Sequence, residues 1–419
     1  MGMKVTVAGT GYVGLVTGVC LASKGHQVTC LDVDEEKVKI MRKGISPIYE
    51  PGLSELMTEY MGNLTFTTDY VQAYKDAEVI FIGVGTPEKS DGSANLSFVY
   101  QVAKQIAKTV ERDCVVVLKS TVPIGTNDKI EQYIHDKQTH DCKIYVASNP
   151  EFLAQGTAVR DTLHASRIVI GKLKVGRRSA EMIKYASNDF LALKISYVNE
   201  IANLCETVGA DVEEVTFGMG YDKRIGNHFL SAGIGYGGSC FPKDTKALSW
   251  LASFNDKEIR TVKAAIEVND SQKLKLIKKA RKYYDDFLFL NVAVLGCTFK
   301  PGTDDLREAP SLVNVPLLLE DGAHVKIWDP VGTENFKKRI PNEKIQYCNS
   351  IEDAITDADI CLIFTEWEEV CKFDVSKYKK LMRRPIVLDG RNCYALKCFE
   401  GTGVTYGSIG RKTVNDIEE

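Results

Sequence analysis

The chain is 419 residues long, 44% hydrophobic and 26% charged, with 53 Lys and Arg against 56 Asp and Glu for a net charge of −3. That length holds roughly two to four domains with sizeable cores, and the composition excludes wholesale disorder. The charge balance offers a nucleic acid or an anionic membrane no electrostatic hold. No apolar run approaches the about 20 residues needed to span a bilayer. The opening MGMKVTVAGTGYVG enters a strand-and-turn pattern without the charged and apolar regions of a signal peptide. A cytoplasmic protein without a membrane partner is expected.

In chain order, short Val/Ile-rich runs alternate with longer helical stretches. Strands are predicted at Lys4–Ala8, Gln27–Asp32, Val79–Val84, Val115–Lys119, Ile144–Ala147 and Arg167–Ile170, with helices at Leu15–Lys24, Asp34–Lys43 and Leu96–Val110. Continuous apolar strands separated by helices predict a parallel sheet covered on both faces, a doubly wound domain over residues 1–185. From Glu181 to about Leu251 the pattern turns helical, broken by the Gly-rich stretch Ser231–Cys240, and a helical run follows from Lys257 to Tyr284. Strand–helix alternation restarts at Val292–Leu295, Val325–Trp328, Ile360–Phe364 and Ile386–Leu388. The expectation is α/β: two Rossmann-like domains, 1–185 and 289–407, joined by a helical region 186–288, with a frayed polar tail at 408–419.

The twelve cysteines include no C-x-x-C pair, and Cys20, Cys30, Cys114, Cys205 and Cys361 sit in apolar runs where Cys behaves as a small buried hydrophobe. Reduced cytosolic thiols are expected, and with six His no metal site is.

Gly9-Thr10-Gly11-Tyr12-Val13-Gly14 follows a strand and opens a helix. The three glycines permit the tight turn, the approach of a pyrophosphate and the packing of helix on strand, while the helix N-terminus favours phosphate. Asp32, eighteen residues past Gly14, stands where a carboxylate receives ribose hydroxyls and repels a 2′-phosphate, which favours NAD over NADP. Lys37 lies beside these cofactor residues and is counted with them, though a lysine there reads first as a solvated helix charge rather than a specificity device. The turns Gly83–Pro87 (with Thr86), Ser120–Pro123 (with Thr121) and Ser148–Glu151 fall at consecutive strand ends, as a cofactor crevice requires.

Cys240 differs from the other cysteines. It lies in GYGGSCFPKD, where Gly237 and Gly238 allow close backbone approach and Lys243 and Asp244 follow. An inert thiol and a nucleophile are both open readings. A nicotinamide domain with a nucleophilic thiol suits oxidation from alcohol through aldehyde to acid, via a thiohemiacetal and a thioester that water hydrolyses. Such chemistry needs a base, for which Glu151 is a candidate, and a group for the oxyanion, for which Lys184 and Asn188, four apart on one helix face, are candidates. Each of these alone also reads as a surface residue.

The motifs VAGTGYVG, STVPIGT, SNPEFLAQGTAVRD, KYASNDFLALKISYVNE, DKRIGNHF, GIGYGGSCFPKDTKAL, FKPGTDDLREAPS and VLDGRN, running from Val7 to Asn392, resemble those of the UDP-glucose/GDP-mannose dehydrogenase family. The resemblance implies four-electron, NAD-dependent oxidation of a nucleotide-sugar: UDP-glucose to UDP-glucuronate, or the same chemistry on UDP-N-acetylmannosamine or GDP-mannose. It further implies that Cys240 carries the covalent intermediates, Lys184 and Asn188 stabilise the oxyanion, Asp244 positions or activates water, and Thr121 and Glu151 bind water and act as acid and base. Phe152, Leu153, Ser231, Gly235, Tyr236, Gly237, Lys300 and Arg391 match substrate-binding positions, and Arg307 one that contacts NAD. Arg224 matches a residue that reaches the substrate of a neighbouring subunit, which implies a homodimer. Gln155 stands where the family often has a second Glu near NAD, and the turn Gly296–Lys300 lacks the G-x-G-x-x-G of a second dinucleotide site. A two-electron dehydrogenase with an incidental Cys240 and a silent nucleotide-binding protein are the competing readings.

Overall fold

The computed structural model describes residues 2–171 and 176–415. The chain divides into two compact units, Met1–Ser187 with Lys246–Lys257, and Asn188–Thr245 with Glu258–Glu419.

The first unit is a parallel sheet ordered β3-β2-β1-β4-β5-β6, where β1 is Lys4–Ala8, β2 Gln27–Leu31, β3 Leu64–Thr67, β4 Val79–Ile82, β5 Cys114–Leu118 and β6 Ile144–Ser148. Val7 at the centre pairs with Cys30 on one side and Phe81 on the other. Helices cover both faces, so the strands read as unbroken apolar runs. One core gathers Val7, Leu15, Val19, Cys30 and Met57; the other gathers Ile80, Val102, Ile106, Val116 and Ile134. The helix Tyr12–Ser23 is buried along most of its length, and a Cβ on its Gly18 would stand 2.7 Å from Cys30 Sγ. Burial pushes the Cys30 thiol up to about 12, so it packs as an uncharged apolar group.

The second unit repeats the plan. Its strands are β7 Asn291–Leu295, β8 His324–Trp328, β9 Ile345–Tyr347, β10 Ile360–Ile363, β11 Ile386–Asp389 and β12 Thr405–Gly407, ordered β12-β11-β10-β7-β8-β9. Read from the other edge, this is the strand order of the first sheet. The helical middle does not pack on itself alone: Val198, Ala202 and Val212 share a core with Val292, Val294 and Leu362. The helix Arg177–Val208, 32 residues long, contributes to both units. Among the described residues no helix is long and apolar enough to cross a membrane.

Two expectations are corrected. Arg167–Ile170 forms no strand: Ile168 and Ile170 are exposed, and only the neighbouring Gly171 makes a single antiparallel bridge to Ser148. Residues 408–415 are not frayed. Tyr406 pairs antiparallel with Val414, buried Arg411 donates from Nη2 to the Tyr406 hydroxyl, and Gly410 N donates to Glu206 Oε1 at 2.9 Å. Lys275 and Lys279 ion-pair with the same Glu206, so the segment at Gly410 is held by a charge cluster. Residues 416–419 lie outside the described ones.

Candidate functional site

In the first unit the Gly-rich turn has the geometry of a dinucleotide cradle. Gly9 has φ +94° and its N donates to Leu31 O at 2.8 Å. A Cβ on Gly14 would lie 1.9 Å from Gly9 O, so only glycine lets the helix close on the turn. A Cβ on Gly11 would meet nothing within 4 Å, leaving room beside the helix start. Gly11, in extended backbone conformation, caps that helix without a side-chain bond, and the helix start is the end that favours a phosphate.

Asp32 follows β2 and is half-buried. Its Oδ2 accepts from Thr10 N at 2.8 Å and from Thr10 Oγ1, its Oδ1 from Asp34 N at 3.1 Å. Burial pushes this carboxyl up, but the Thr10 and Asp34 hydrogen bonds and the Lys37 charge outweigh it and hold it below the usual range. It is therefore an ionised acceptor at neutral pH. Lys37 acts on it through charge rather than by a bond.

The three polar turns lie at the ends of the adjacent strands β4, β5 and β6. Thr86 Oγ1 donates to Thr121 O at 2.8 Å, and Ser120 Oγ to Val84 O at 2.7 Å. These residues together fit NAD: a left-handed glycine turn, an open helix start and an ionised carboxylate at the second strand's end.

After β6 comes a buried ion pair. Glu151 Oε1 accepts from Lys184 Nζ at 2.8 Å, with side chains 5% and 3% exposed, and Oε2 accepts from Leu153 N at 2.8 Å. Phe152 lies under the Arg167 guanidinium, 4.4 Å from the ring centroid. Lys119 stands close: burial pulls its ammonium down, the Glu151 charge opposes this, and Lys184 adds to it. Gln155 sits in a loop clamped by Glu50, whose carboxylate accepts from Gly156 N and Ala158 N, both at 2.7 Å. Glu50 and Lys119 escaped the sequence reading; the one signal for Glu50 is an acid in the turn-forming context YEPG.

Cys240, in the second unit, is half-buried with Ser239 Oγ at 3.8 Å from its Sγ, and the helix Phe241–Phe254 starts directly after it. Asp244 N donates to Cys240 O at 2.9 Å. The buried Asp244 carboxylate accepts from Asn188 Nδ2 at 2.7 Å and from Lys243 Nζ at 2.5 Å. Cys240, Asp244 and Asn188 thus form one constellation, with Lys243 as its cation.

At Gly237 and Gly238 the close neighbours are the protein's own Phe299 and Glu308: Cβ atoms there would lie 2.7 Å from Glu308 O and 2.9 Å from the Phe299 ring. Gly238 N donates to Arg307 O at 2.7 Å, which ties the thiol loop to the DDLRE segment; the Arg307 side chain pairs with Asp305. The rest of the loop is held by buried amides. Gly233 N donates to Asn199 Oδ1 and Tyr236 N to Asn269 Oδ1, at 2.8 and 2.7 Å. Arg391 joins three carbonyls, Gly235 O, Phe299 O and Phe364 O. A cavity of about 180 Å³ lies here, lined by Ser231, Gly233, Gly235 and Arg391 among others. Lys300 is half-buried with Nζ 5.6 Å from the Phe299 ring centroid. Arg224 stands apart, its side chain 89% exposed and paired with the nearby Asp222. Lys194 Nζ donates to the carbonyls of Ile225 and His228.

The second sheet's turn imitates the first but is filled. Gly296 has φ +82° and donates to Trp328 O at 2.8 Å, as Gly9 does to Leu31 O. Asp329, in the place of Asp32, accepts from Cys297 N, Thr298 N, Gly332 N and Trp367 Nε1. Those bonds leave no carboxylate lone pair directed outward for a ribose, and the turn is packed shut by Thr298 and Thr365.

Three models of the UDP-glucose/GDP-mannose dehydrogenase family match the chain in succession: the NAD binding domain over residues 3–185, the central domain over 178–271 and the UDP binding domain over 293–396. A UDP-glucose 6-dehydrogenase of Bacillus subtilis (strain 168) is 49% identical over 98% of both chains. A UDP-glucose dehydrogenase structure from Pyrobaculum islandicum superposes with a TM-score of 0.91 at 35% identity, covering 98% of each chain. A UDP-D-ManNAc dehydrogenase structure from Pyrococcus horikoshii does so at 0.85 and 27%, covering 99% of this chain and 100% of the other. With its NAD cradle in the first unit, its thiol constellation in the second and all three family models in order, the chain belongs to the UDP-glucose/GDP-mannose dehydrogenase family and is an NAD-dependent dehydrogenase.

Proposed function

We propose that this protein oxidises the C6 alcohol of UDP-glucose to the carboxylate of UDP-glucuronate, with Cys240 carrying the sugar between the two oxidations. The observation that carries the reading is the Asn188–Asp244–Lys243 network joined to the Cys240 backbone at the head of one helix. NAD, when bound at the Gly9–Gly14 turn, supplies the hydride acceptor, one molecule for each of the two oxidations. The chain's own residues do the rest. Glu151, paired with Lys184, is the group to take the alcohol proton as the aldehyde forms, Thr121 holds water beside it, and Phe152 and Leu153 position the sugar. The Cys240 thiolate adds to the aldehyde carbon, and Lys184 and Asn188 bear the oxyanion of the thiohemiacetal. Loss of the second hydride leaves a thioester. Asp244 directs water onto that carbon, the C–S bond breaks, and the thiol returns with its proton.

We assign residues 1–185 to NAD, 186–288 to the thiol loop and a subunit contact, and 289–407 to the nucleotide, a division supported by the order of the NAD binding, central and UDP binding models. Lys300, Arg391 and the loop Ser231–Gly237 line the nucleotide-sugar side, with Gln155 and Arg307 toward NAD. Exposed Arg224 suits a contact with a second copy of the chain in a homodimer. A thiol nucleophile must stay reduced, which supports a cytoplasmic location. The closeness of the B. subtilis relative favours UDP-glucose, and the P. horikoshii structure keeps UDP-N-acetylmannosamine as the second reading.

Comparing kcat/KM for UDP-glucose, UDP-N-acetylmannosamine and GDP-mannose tests the choice of sugar. UDP-glucose is expected to lead by at least about tenfold, the discrimination one mismatched polar group supplies. A lead for either other sugar would overturn the substrate assignment while leaving the thiol chemistry in place.

A further inference from the structure

Asp189 follows Asn188 on the long helix and is 4% exposed. Neither of its carboxylate oxygens meets a hydrogen-bond donor among the described residues. An ionised carboxylate in that position would give up its hydration with nothing in return. Three groups face it: Asp244 and Lys243 from the head of the helix Phe241–Phe254, and the Tyr236 phenol from the Gly-rich loop. Both nearby donors are already committed, Asn188 Nδ2 to Asp244 Oδ2 and Lys243 Nζ to Asp244 Oδ1. Burial pushes the Tyr236 phenol up, a bond with Thr245 opposes the rise, and the charges of Asp270, Asp189 and Glu308 add to it, so the phenol stays neutral. Two carboxyls therefore share one lysine, and only Asp244 is bonded as an anion should be.

We propose that Asp189 is a positioning residue of the oxidation: held as a neutral carboxylic acid beside Asp244, it keeps a single negative charge next to the thiol helix, and its ionisation sets the alkaline limit of turnover. The proposal rests on the reading of Cys240 and Asp244 given above. A second charge at this place would compete with Asp244 for Lys243 and would oppose both the thiolate and the oxyanion formed from it. Burial first, and then the Asp244 charge, push the Asp189 carboxyl up to about 8, with Lys243 opposing. Because this value is raised by folding, the proton is kept through neutral pH and lost as the pH passes about 8.

Asparagine keeps the size and stays neutral at every pH. In the wild type, kcat is expected to fall about tenfold per pH unit above the limit; in Asp189→Asn the alkaline limb should move up by about one pH unit or more. An unmoved limb overturns the proposal. A second readout needs neither turnover nor a folded variant: the infrared carbonyl stretch of a protonated carboxylic acid in the wild type should be present at neutral pH and vanish through a midpoint near 8. Absence of that band at neutral pH overturns the proposal. The infrared result is independent of the thiol chemistry: a missing band with a dead Cys240→Ser variant condemns Asp189 alone, whereas an active Cys240→Ser variant condemns the mechanism.

Discussion

Cys240→Ser is expected to lose turnover by about a thousandfold or more while binding NAD as the wild type does. Serine keeps the size but puts a far weaker acid and poorer nucleophile in place of the thiol, so addition to the aldehyde and formation of the acyl intermediate both fail. The NAD residues are held by bonds made inside the first unit, among Thr10, Asp32 and Asp34 and between Gly9 and Leu31, whereas Cys240 belongs to the second. Steady-state NADH formation beside calorimetric titration of NAD separates the two effects. Near-normal turnover in the serine variant would mean a two-electron enzyme with an incidental thiol.

Lys184→Met strikes both stability and chemistry. It strands Glu151, 5% exposed, with one backbone donor, Leu153 N, in place of an ion pair at 2.8 Å. Breaking a buried pair from one side costs about 3–5 kcal/mol, against about 1 kcal/mol or less for an exposed pair. Chemical denaturation should register the larger figure, and kcat should fall about a hundredfold or more with loss of the oxyanion charge. The double variant Lys184→Met/Glu151→Gln should recover much of the stability and none of the turnover, because no carboxylate is then left unpaired. A loss below about 1 kcal/mol in the single variant would show that the pair is solvated and that Glu151 is not held for proton transfer.

How much of this was legible before folding depends on where the information lies. The central strands β1, β4, β10 and β7 announce themselves, because burial on both faces demands runs dominated by apolar residues, Val, Ile and Leu above all. The strands β3, β9 and β12, at the sheet edges, do not: LTFT, IQY and TYG are short, half polar and shaped by their neighbours rather than by their own pattern. The reverse error, Arg167–Ile170, has a strand's composition on an exposed segment.

The site divides in the same way. Gly9, Gly14 and Asp32 are readable because backbone conformation and spacing dictate them. Glu50, Asp189, Asn199 and Asn269 are not, since each is a polar residue whose meaning comes from burial that only the tertiary fold creates. Asp329 is the instructive contrast with Asp32: the same position in the same strand order, with its lone pairs spent on the backbone and Trp367.

The most direct test of the account is the number of NADH formed per UDP-glucose consumed to completion by the wild-type enzyme. Oxidation through a Cys240 thioester requires two, with UDP-glucuronate as the product and no free aldehyde. One NADH per sugar, with the aldehyde released, would contradict the thiol mechanism.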